Sequence, residues 1–284
     1  MNARDQVLIT VAELAGRIRS AEPVTLLDVR WRFDEPDGHS AYLRGHLPGA
    51  VYVSLEDELS DHTVVGHGRH PLPSGRSLQA AARRWGIQRD GLGVAYDDWN
   101  RAGSARAWWV LTAAGVDNVR ILDGGLDAWR SAEEPLETGP VTPPAGNVLV
   151  RHDDLAAGRR PTLTAQQCGS GAVPLLDTRA PERFRGDVEP VDPVAGHIPG
   201  ATNLPSAAVL DCDGMFLDQD ALTRLLSGRG IDPDGPVGAY CGSGITASVT
   251  VAALAAMGRE AALYPGSWSE WSSDPTRPVA RGAG

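Results

Sequence analysis

One pattern occurs twice in this chain, and it constrains the fold more than any composition value. Gly45-His46-Leu47-Pro48-Gly49-Ala50 returns as Gly196-His197-Ile198-Pro199-Gly200-Ala201. Ahead of the first turn stands Val24-Thr25-Leu26-Leu27-Asp28-Val29-Arg30; ahead of the second stands Pro174-Leu175-Leu176-Asp177-Thr178-Arg179. Gly93-Val94-Ala95-Tyr96 is matched by Val237-Gly238-Ala239-Tyr240, and residues 119–129 align without gaps on residues 261–271. Landmarks recurring in one order at nearly one spacing mean an internal duplication. The period is far too long for a solenoid, so the 284 residues divide into two copies of one domain. We expect the copies at residues 1–138 and 148–284. Between them Gly139-Pro140 and Pro143-Pro144 mark an exposed linker. Each copy alternates short apolar runs with helical patterns. That predicts an α/β fold with a mainly parallel sheet flanked by helices. One such helix is expected from Thr10-Val11-Ala12-Glu13, which reads as a capping box, to about Arg19.

Composition removes several classes of function. A net charge of −10 argues against nucleic acid or an anionic membrane as partner. The longest apolar run, near Ala247–Met257, is too short to span a bilayer, and the polar N-terminus lacks the apolar core of a signal peptide. Three cysteines, Cys168, Cys212 and Cys241, form neither a disulfide framework nor a CxxC zinc pair. A reduced, cytoplasmic setting is expected, with no metal.

The chemistry is expected at Cys241-Gly242-Ser243-Gly244-Ile245-Thr246. An apolar run precedes it and an Ala/Val/Leu-rich helix follows, so a thiol opens a tight loop between strand and helix. Two glycines let the backbone curl with its N–H groups inward. Those donors and the helix N-terminus favour negative charge. A thiol placed there is favoured as a thiolate nucleophile. The duplication supplies a control: the position of Cys241 is Asp97 in the first copy, so only one half carries the thiol. Cys168-Gly169-Ser170-Gly171 repeats the same four letters, but without a strand before or a helix after. It reads as a helix end with a glycine stop. Gly242-x-Gly244-x-x-Ala247 also fits a dinucleotide-binding pattern, yet Glu260 precedes the next strand instead of ending it. A cysteine phosphatase would need an Arg where Ala247 stands. His46 and His197, present in both copies, are expected to stabilise their turns, and Trp268 and Trp271 to pack.

Taken together, Leu27-Asp28-Val29-Arg30, Leu176-Asp177-Thr178-Arg179, the two Gly-His-x-Pro-Gly-Ala turns, the Cys241–Thr246 loop and Pro265-Gly266-Ser267-Trp268-Ser269-Glu270-Trp271 resemble the two-domain rhodanese superfamily of sulfurtransferases. The resemblance runs from about residue 7 to residue 278. It implies two tandem rhodanese-like domains, the first catalytically silent. It also implies transfer of a sulfane sulfur from 3-mercaptopyruvate or thiosulfate, through a Cys241 persulfide, to a thiol or cyanide, with no organic cofactor. A non-catalytic persulfide carrier or thiol-based sensor is the alternative. Thiosulfate-type members carry two basic residues after the cysteine, whereas Gly242-Ser243 resembles the 3-mercaptopyruvate group. In that group a Ser–His–Asp relay is implied, and the matching residues are Ser243, His70 and Asp61. Gly242, Gly244, Ile245 and Thr246 would cradle the donor, and Arg183 matches the family's substrate-binding arginine. The mercaptopyruvate members carry a second arginine a few residues on. Here that stretch is Glu189-Pro190-Val191-Asp192-Pro193, without one. Arg185 is the substitute nearest in sequence.

Overall fold

The computed structural model describes residues 2–283. It divides into two compact units. One contains the chain up to Asp61, Leu72–Arg160 and Cys212–Phe216; the other contains His62–Pro71, Pro161–Asp211 and the chain from Leu217 onward. Each unit therefore includes a short segment from the other half of the sequence.

The strands of the first unit are β1 (Leu8–Ile9), β2 (Val24–Asp28), β3 (Val51–Tyr52), β4 (Leu92–Tyr96) and β5 (Val119–Leu122); those of the second are β6 (Leu175–Asp177), β7 (Thr202–Asn203), β8 (Gly238–Tyr240) and β9 (Ala262–Leu263). The first sheet runs β1-β5-β4-β2-β3 and the second β7-β6-β8-β9. All the pairings are parallel. Apart from β1, the two orders are the same, as a duplication requires. At the edge that β1 occupies in the first sheet, the second has only a parallel bridge from Thr162 to Leu263. Every residue of β4 and of β8 is buried, the mark of strands covered on both faces.

The helices after β4 and β8 are Ala102–Ala113, buried at every position, and Ala247–Ala256, buried at all but Ala255. Small side chains let them lie close to the sheet. A Cβ on Gly103 would stand 1.8 Å from the Val29 carbonyl oxygen, so this position requires glycine. The helix Val11–Arg19 begins where the sequence predicts, with Thr10 Oγ1 accepting from Glu13 N. The capping box is incomplete, because the Glu13 carboxylate accepts from Arg17 and Arg120.

Both units share one buried polar tie. In the first, Asp28 accepts from Arg30 Nε at 2.9 Å, from Arg30 Nη2 at 2.8 Å and from the Tyr96 hydroxyl at 2.6 Å. Arg30 Nη2 also donates to the Gly45 carbonyl, and Leu47 N donates to the Tyr96 hydroxyl. In the second, Asp177 accepts from Arg179, Arg179 Nη2 donates to the Gly196 carbonyl, and Ile198 N donates to the Tyr240 hydroxyl. The strand end is thereby bonded to the Gly-His-x-Pro-Gly-Ala turn. Burial and the Asp28 charge hold the Tyr96 hydroxyl well above its ordinary pKa, so it remains a donor. The turn histidines are structural: His46 stacks on Tyr42 at 4.2 Å, and His197 stacks on Phe184 at 3.7 Å while its Nδ1 donates to the Phe184 carbonyl. Trp268 and Trp271 are buried, their indole N–H groups donating to the carbonyls of Val194 and Pro278.

The segment after Gly139 is exposed or half-buried through Asn147, as its prolines suggest, and it is also hydrogen-bonded to the first unit. Gly146 N donates to the Arg83 carbonyl and Val148 N to that of Ile87. A Cβ on Gly146 would fall 2.1 Å from the Ile87 oxygen. The segment is docked backbone to backbone on the first unit. Among the described residues, no helix is long and apolar enough to cross a membrane.

Removing one partner of the buried tie leaves a charge without compensation. Asp28→Ala, which strands the buried Arg30 guanidinium, is expected to destabilise the protein by about 3–5 kcal/mol. Urea unfolding followed by circular dichroism checks it, and an unchanged midpoint would refute a supporting role for the pair.

Candidate active site

The two strand-to-helix loops solve the same electrostatic problem differently. In the first unit the position after Tyr96 is Asp97, and its carboxylate bonds to the donors of its own loop. Oδ1 accepts from Trp99 N at 3.1 Å and Arg101 N at 3.2 Å; Oδ2 accepts from Ser104 N at 3.0 Å and Ser104 Oγ at 2.7 Å. The inward N–H groups expected from a loop at a helix start are used internally. Arg101, at φ 62°, adopts the left-handed conformation that makes the turn.

In the second unit the position after Tyr240 is Cys241. Its Sγ accepts from Gly244 N at 3.1 Å. Among the described residues, the N–H groups of Ser243, Ile245 and Thr246 donate to no protein acceptor. The loop is fixed from one side by the segment after β9. Cys241 N donates to Ser267 Oγ at 3.2 Å, Trp268 N to the Cys241 carbonyl at 3.0 Å, and Ser269 N to the Gly242 carbonyl at 2.9 Å. Gly244 has φ +79°, and a Cβ there would stand 2.4 Å from the Pro265 oxygen. Behind Thr246 the helix Ala247–Ala256 begins without a side-chain cap, so its first N–H groups add to the positive end of the loop. Cys241, Ser243 and Ile245 are buried.

The segment His62–Pro71 lies across this same loop. Gly68, at φ +83°, approaches Gly266 so closely that a Cβ would meet its carbonyl at 2.5 Å. Arg69 N then donates to Ser269 Oγ at 3.0 Å. That seat places His70 Nδ1 2.7 Å from Ser243 Oγ, with both side chains buried. Ser243 and His70, paired above on resemblance alone, therefore meet. Asp61 is partly buried and lies in the first unit, immediately before this segment in the chain.

Arg183 is at the loop as well. The place where a Gly242 Cβ would stand is 3.5 Å from Arg183 Nη1 and 2.9 Å from Arg69 Nη2. Arg183 Nη2 bonds Glu189 at 2.6 Å and Asp192 at 3.1 Å. Arg69 Nη1 bonds the other oxygen of Asp192. Glu189 also faces Arg179 at 3.4 Å. Burial pushes the Asp192 carboxyl above its ordinary range, against the opposing pull of Arg69. Arg185 is not at the loop: its side chain is exposed and pairs with Asp187 at 2.7 Å. Sequence reasoning missed Arg69. The available signal was its place next to His70, opposite a loop residue without a side chain.

The other cysteines lack such a setting. Cys168 is in the helix Ala165–Gly169 under a Thr164–Gln167 capping box. Burial, reinforced by Glu270, pushes its thiol up to about 12. Cys212 is exposed. No group of three or more His, Cys, Asp or Glu among the described residues is arranged to hold a metal ion.

The model of the rhodanese-like domain matches this chain twice, over residues 10–132 and 161–274. SseB of Mycobacterium tuberculosis (strain H37Rv), provisionally named a thiosulfate sulfurtransferase, is 72% identical over 282 residues, covering 99% of each chain. The 3-mercaptopyruvate sulfurtransferase of Escherichia coli K12 is 36% identical over 242 residues, covering 84% of each. The crystal structure of SseA from Escherichia coli, described as a 3-mercaptopyruvate sulfurtransferase of rhodanese fold, superposes with a TM-score of 0.80 at 32% identity, covering 92% of this chain and 98% of that one.

Two outcomes follow, one from the loop geometry and one from the burial of Cys168. Gly244→Ala combines a left-handed φ with a backbone clash, while a Cβ on Gly242 meets only guanidinium ends that can move. Gly244→Ala is therefore expected to lose stability by roughly 1–3 kcal/mol, clearly more than Gly242→Ala; thermal unfolding of both variants decides it. Native alkylation with iodoacetamide at pH 8 should leave Cys168 unmodified until the protein is denatured, as peptide mass spectrometry will show. Early labelling of Cys168 would contradict its burial.

Proposed function

Because the chain belongs to the rhodanese-like domain family, we propose that it is a sulfurtransferase that carries sulfur on Cys241. The observation that carries this reading is the contrast between the two loops. Asp97 bonds to its own donors, whereas Cys241 presents a sulfur to a loop in which the N–H groups of Ser243, Ile245 and Thr246 donate to no acceptor among the described residues.

The Cys241 thiolate attacks the outer sulfur of the donor. One S–S bond forms, the bond from that sulfur to the rest of the donor breaks, and its electron pair leaves with the departing group. With thiosulfate the products are the Cys241 persulfide and sulfite, and no proton is needed. With 3-mercaptopyruvate the C–S bond breaks, and the enolate of pyruvate must take up a proton. The persulfide's terminal charge is stabilised by the N–H groups of Ser243, Ile245 and Thr246, as an oxyanion hole stabilises oxygen. A thiol or cyanide then attacks the terminal sulfur and regenerates the thiolate, which is two-step covalent catalysis. Ser243 and His70 deliver the proton in the mercaptopyruvate reaction, and Asp61 is the residue that the resemblance assigns as third member of their relay. Gly242 and Gly244 shape the cradle, and Arg183 meets the donor's anionic group. Residues 1–138 form the silent copy and residues 148–284 the catalytic one. The working compartment is the cytoplasm, where a reactive thiol stays reduced. Relatives bearing both donor names support small anionic sulfur donors of either type.

Intact mass after incubation with each donor tests this. The protein should gain one sulfur atom and Cys241→Ser should gain none; absence of the gain with both donors would overturn the proposal. Ser243→Ala separates the donors. It should slow mercaptopyruvate turnover by about 10²-fold and thiosulfate turnover much less, since only the former needs a proton. Equal losses would remove the relay.

A further inference from the structure

We infer that Arg69 is the second anion-binding cation of this site, fixed beside Arg183 by the Asp192 carboxylate, and that it sets affinity for the anionic group of the sulfur donor. The inference rests on the sulfurtransferase reading and assigns a residue that neither the motif nor its resemblance supplied.

The segment where a second arginine is expected contains Asp192 instead. Its side chain is only 3% exposed, and each oxygen engages a different guanidinium: Oδ1 that of Arg69, Oδ2 that of Arg183. A single buried carboxylate thus holds two cations side by side. Both converge on the face of Gly242, the residue directly after the nucleophile. The groups facing the carboxylates are mutually satisfied, while others remain available. Arg69 Nε is buried without a partner. Arg69 Nη2 and Arg183 Nη1, the atoms nearest Gly242, make no hydrogen bond to the described residues. Two planar guanidiniums with N–H groups turned to one place suit a carboxylate or sulfonate-type anion. Gly242 is needed for this, since a side chain there would occupy the space they share. The position also explains why Arg69 is held by its backbone: the Gly68–Gly266 approach and the bond from Arg69 N to Ser269 Oγ fix where its side chain starts.

Two readouts test the assignment, one of which needs no sulfur transfer. The first is the rate of Cys241 alkylation by anionic iodoacetate relative to neutral iodoacetamide, followed on the Cys241 peptide. Arg69→Gln should lower this ratio roughly tenfold, Arg69→Lys should restore most of it, and Arg185→Gln should leave it unchanged. The second is steady-state turnover. Arg69→Gln should raise KM for thiosulfate roughly 10- to 100-fold with kcat nearly unchanged, because the contact is made in ground and transition state alike. A wild-type ratio in Arg69→Gln overturns the inference. So does a loss in which both alkylating reagents slow equally and Arg69→Lys rescues nothing, since that marks a purely structural residue. Should wild-type protein form no persulfide, the sulfurtransferase reading fails, and the alkylation ratio still decides whether Arg69 is the second cation.

Discussion

A buried carboxylate at the end of a parallel strand organises each half of this molecule. Asp28 and Asp177 are both fully buried and face Tyr96 and Tyr240 across the sheet in register. Each is neutralised by an arginine two residues on, whose remaining N–H reaches the glycine carbonyl of the Gly-His-x-Pro-Gly-Ala turn. In the second unit a main-chain N–H of that turn donates to the hydroxyl of Tyr240, the residue before Cys241. The carboxylate, guanidinium, carbonyl and phenol therefore connect strand, turn and the loop at Cys241 in one network. Such a network is costly when incomplete, since a single missing partner strands a buried charge. Complete, it fixes the height at which Cys241 leaves the sheet.

From that common frame, the identity of one residue separates a loop whose first side chain bonds several of its own N–H groups from one whose first side chain bonds a single one. A short carboxylate at the first loop position can fold back onto inward N–H groups, and Asp97 does so with both oxygens. A thiol reaches one of them, Gly244 N. On the proposed reading, the N–H groups of Ser243, Ile245 and Thr246, which donate to no acceptor among the described residues, are left for negative charge that develops on sulfur. The same backbone device is self-satisfied in one copy and open in the other, which makes the duplication informative about chemistry as well as about fold.

Much of this was legible in the sequence because the repeat carries its own register. Strand ends, turns and the loop at Cys241 could be placed by matching one copy to the other, and Cys168 could be set aside because no strand leads into it. What escaped depends on segments far apart in the chain. The seat of Arg69 and His70 requires Gly68 to meet Gly266, and the bonds involved join residues 200 and 173 positions apart. Neither local propensity nor periodicity reports such a contact. The docking of residues 139–148 escaped for the same reason: prolines and glycines signal an irregular backbone but not whether it finds a surface.

The acidic stretch at Glu189–Asp192 shows why a missing basic residue is weak grounds for a missing function. Seen along the chain, it replaces a cation with carboxylates. Seen in space, charges alternate from Asp177 through Arg179, Glu189, Arg183 and Asp192 to Arg69, so no guanidinium in the series lacks a counter-charge. Glu189 and Asp192 pair with Arg183 Nη2 and Arg69 Nη1, while Arg69 Nη2 and Arg183 Nη1 stand nearest Gly242. The protein as a whole is anionic, at −10, and repels an anion at long range. At physiological salt, however, exposed charges beyond about 8 Å are largely screened. On the proposed reading, an anionic donor at the Cys241 loop would therefore meet mainly the two guanidiniums and the loop N–H groups. On that reading, local order in the charges, and not the overall balance, decides whether an acidic protein accepts an anion.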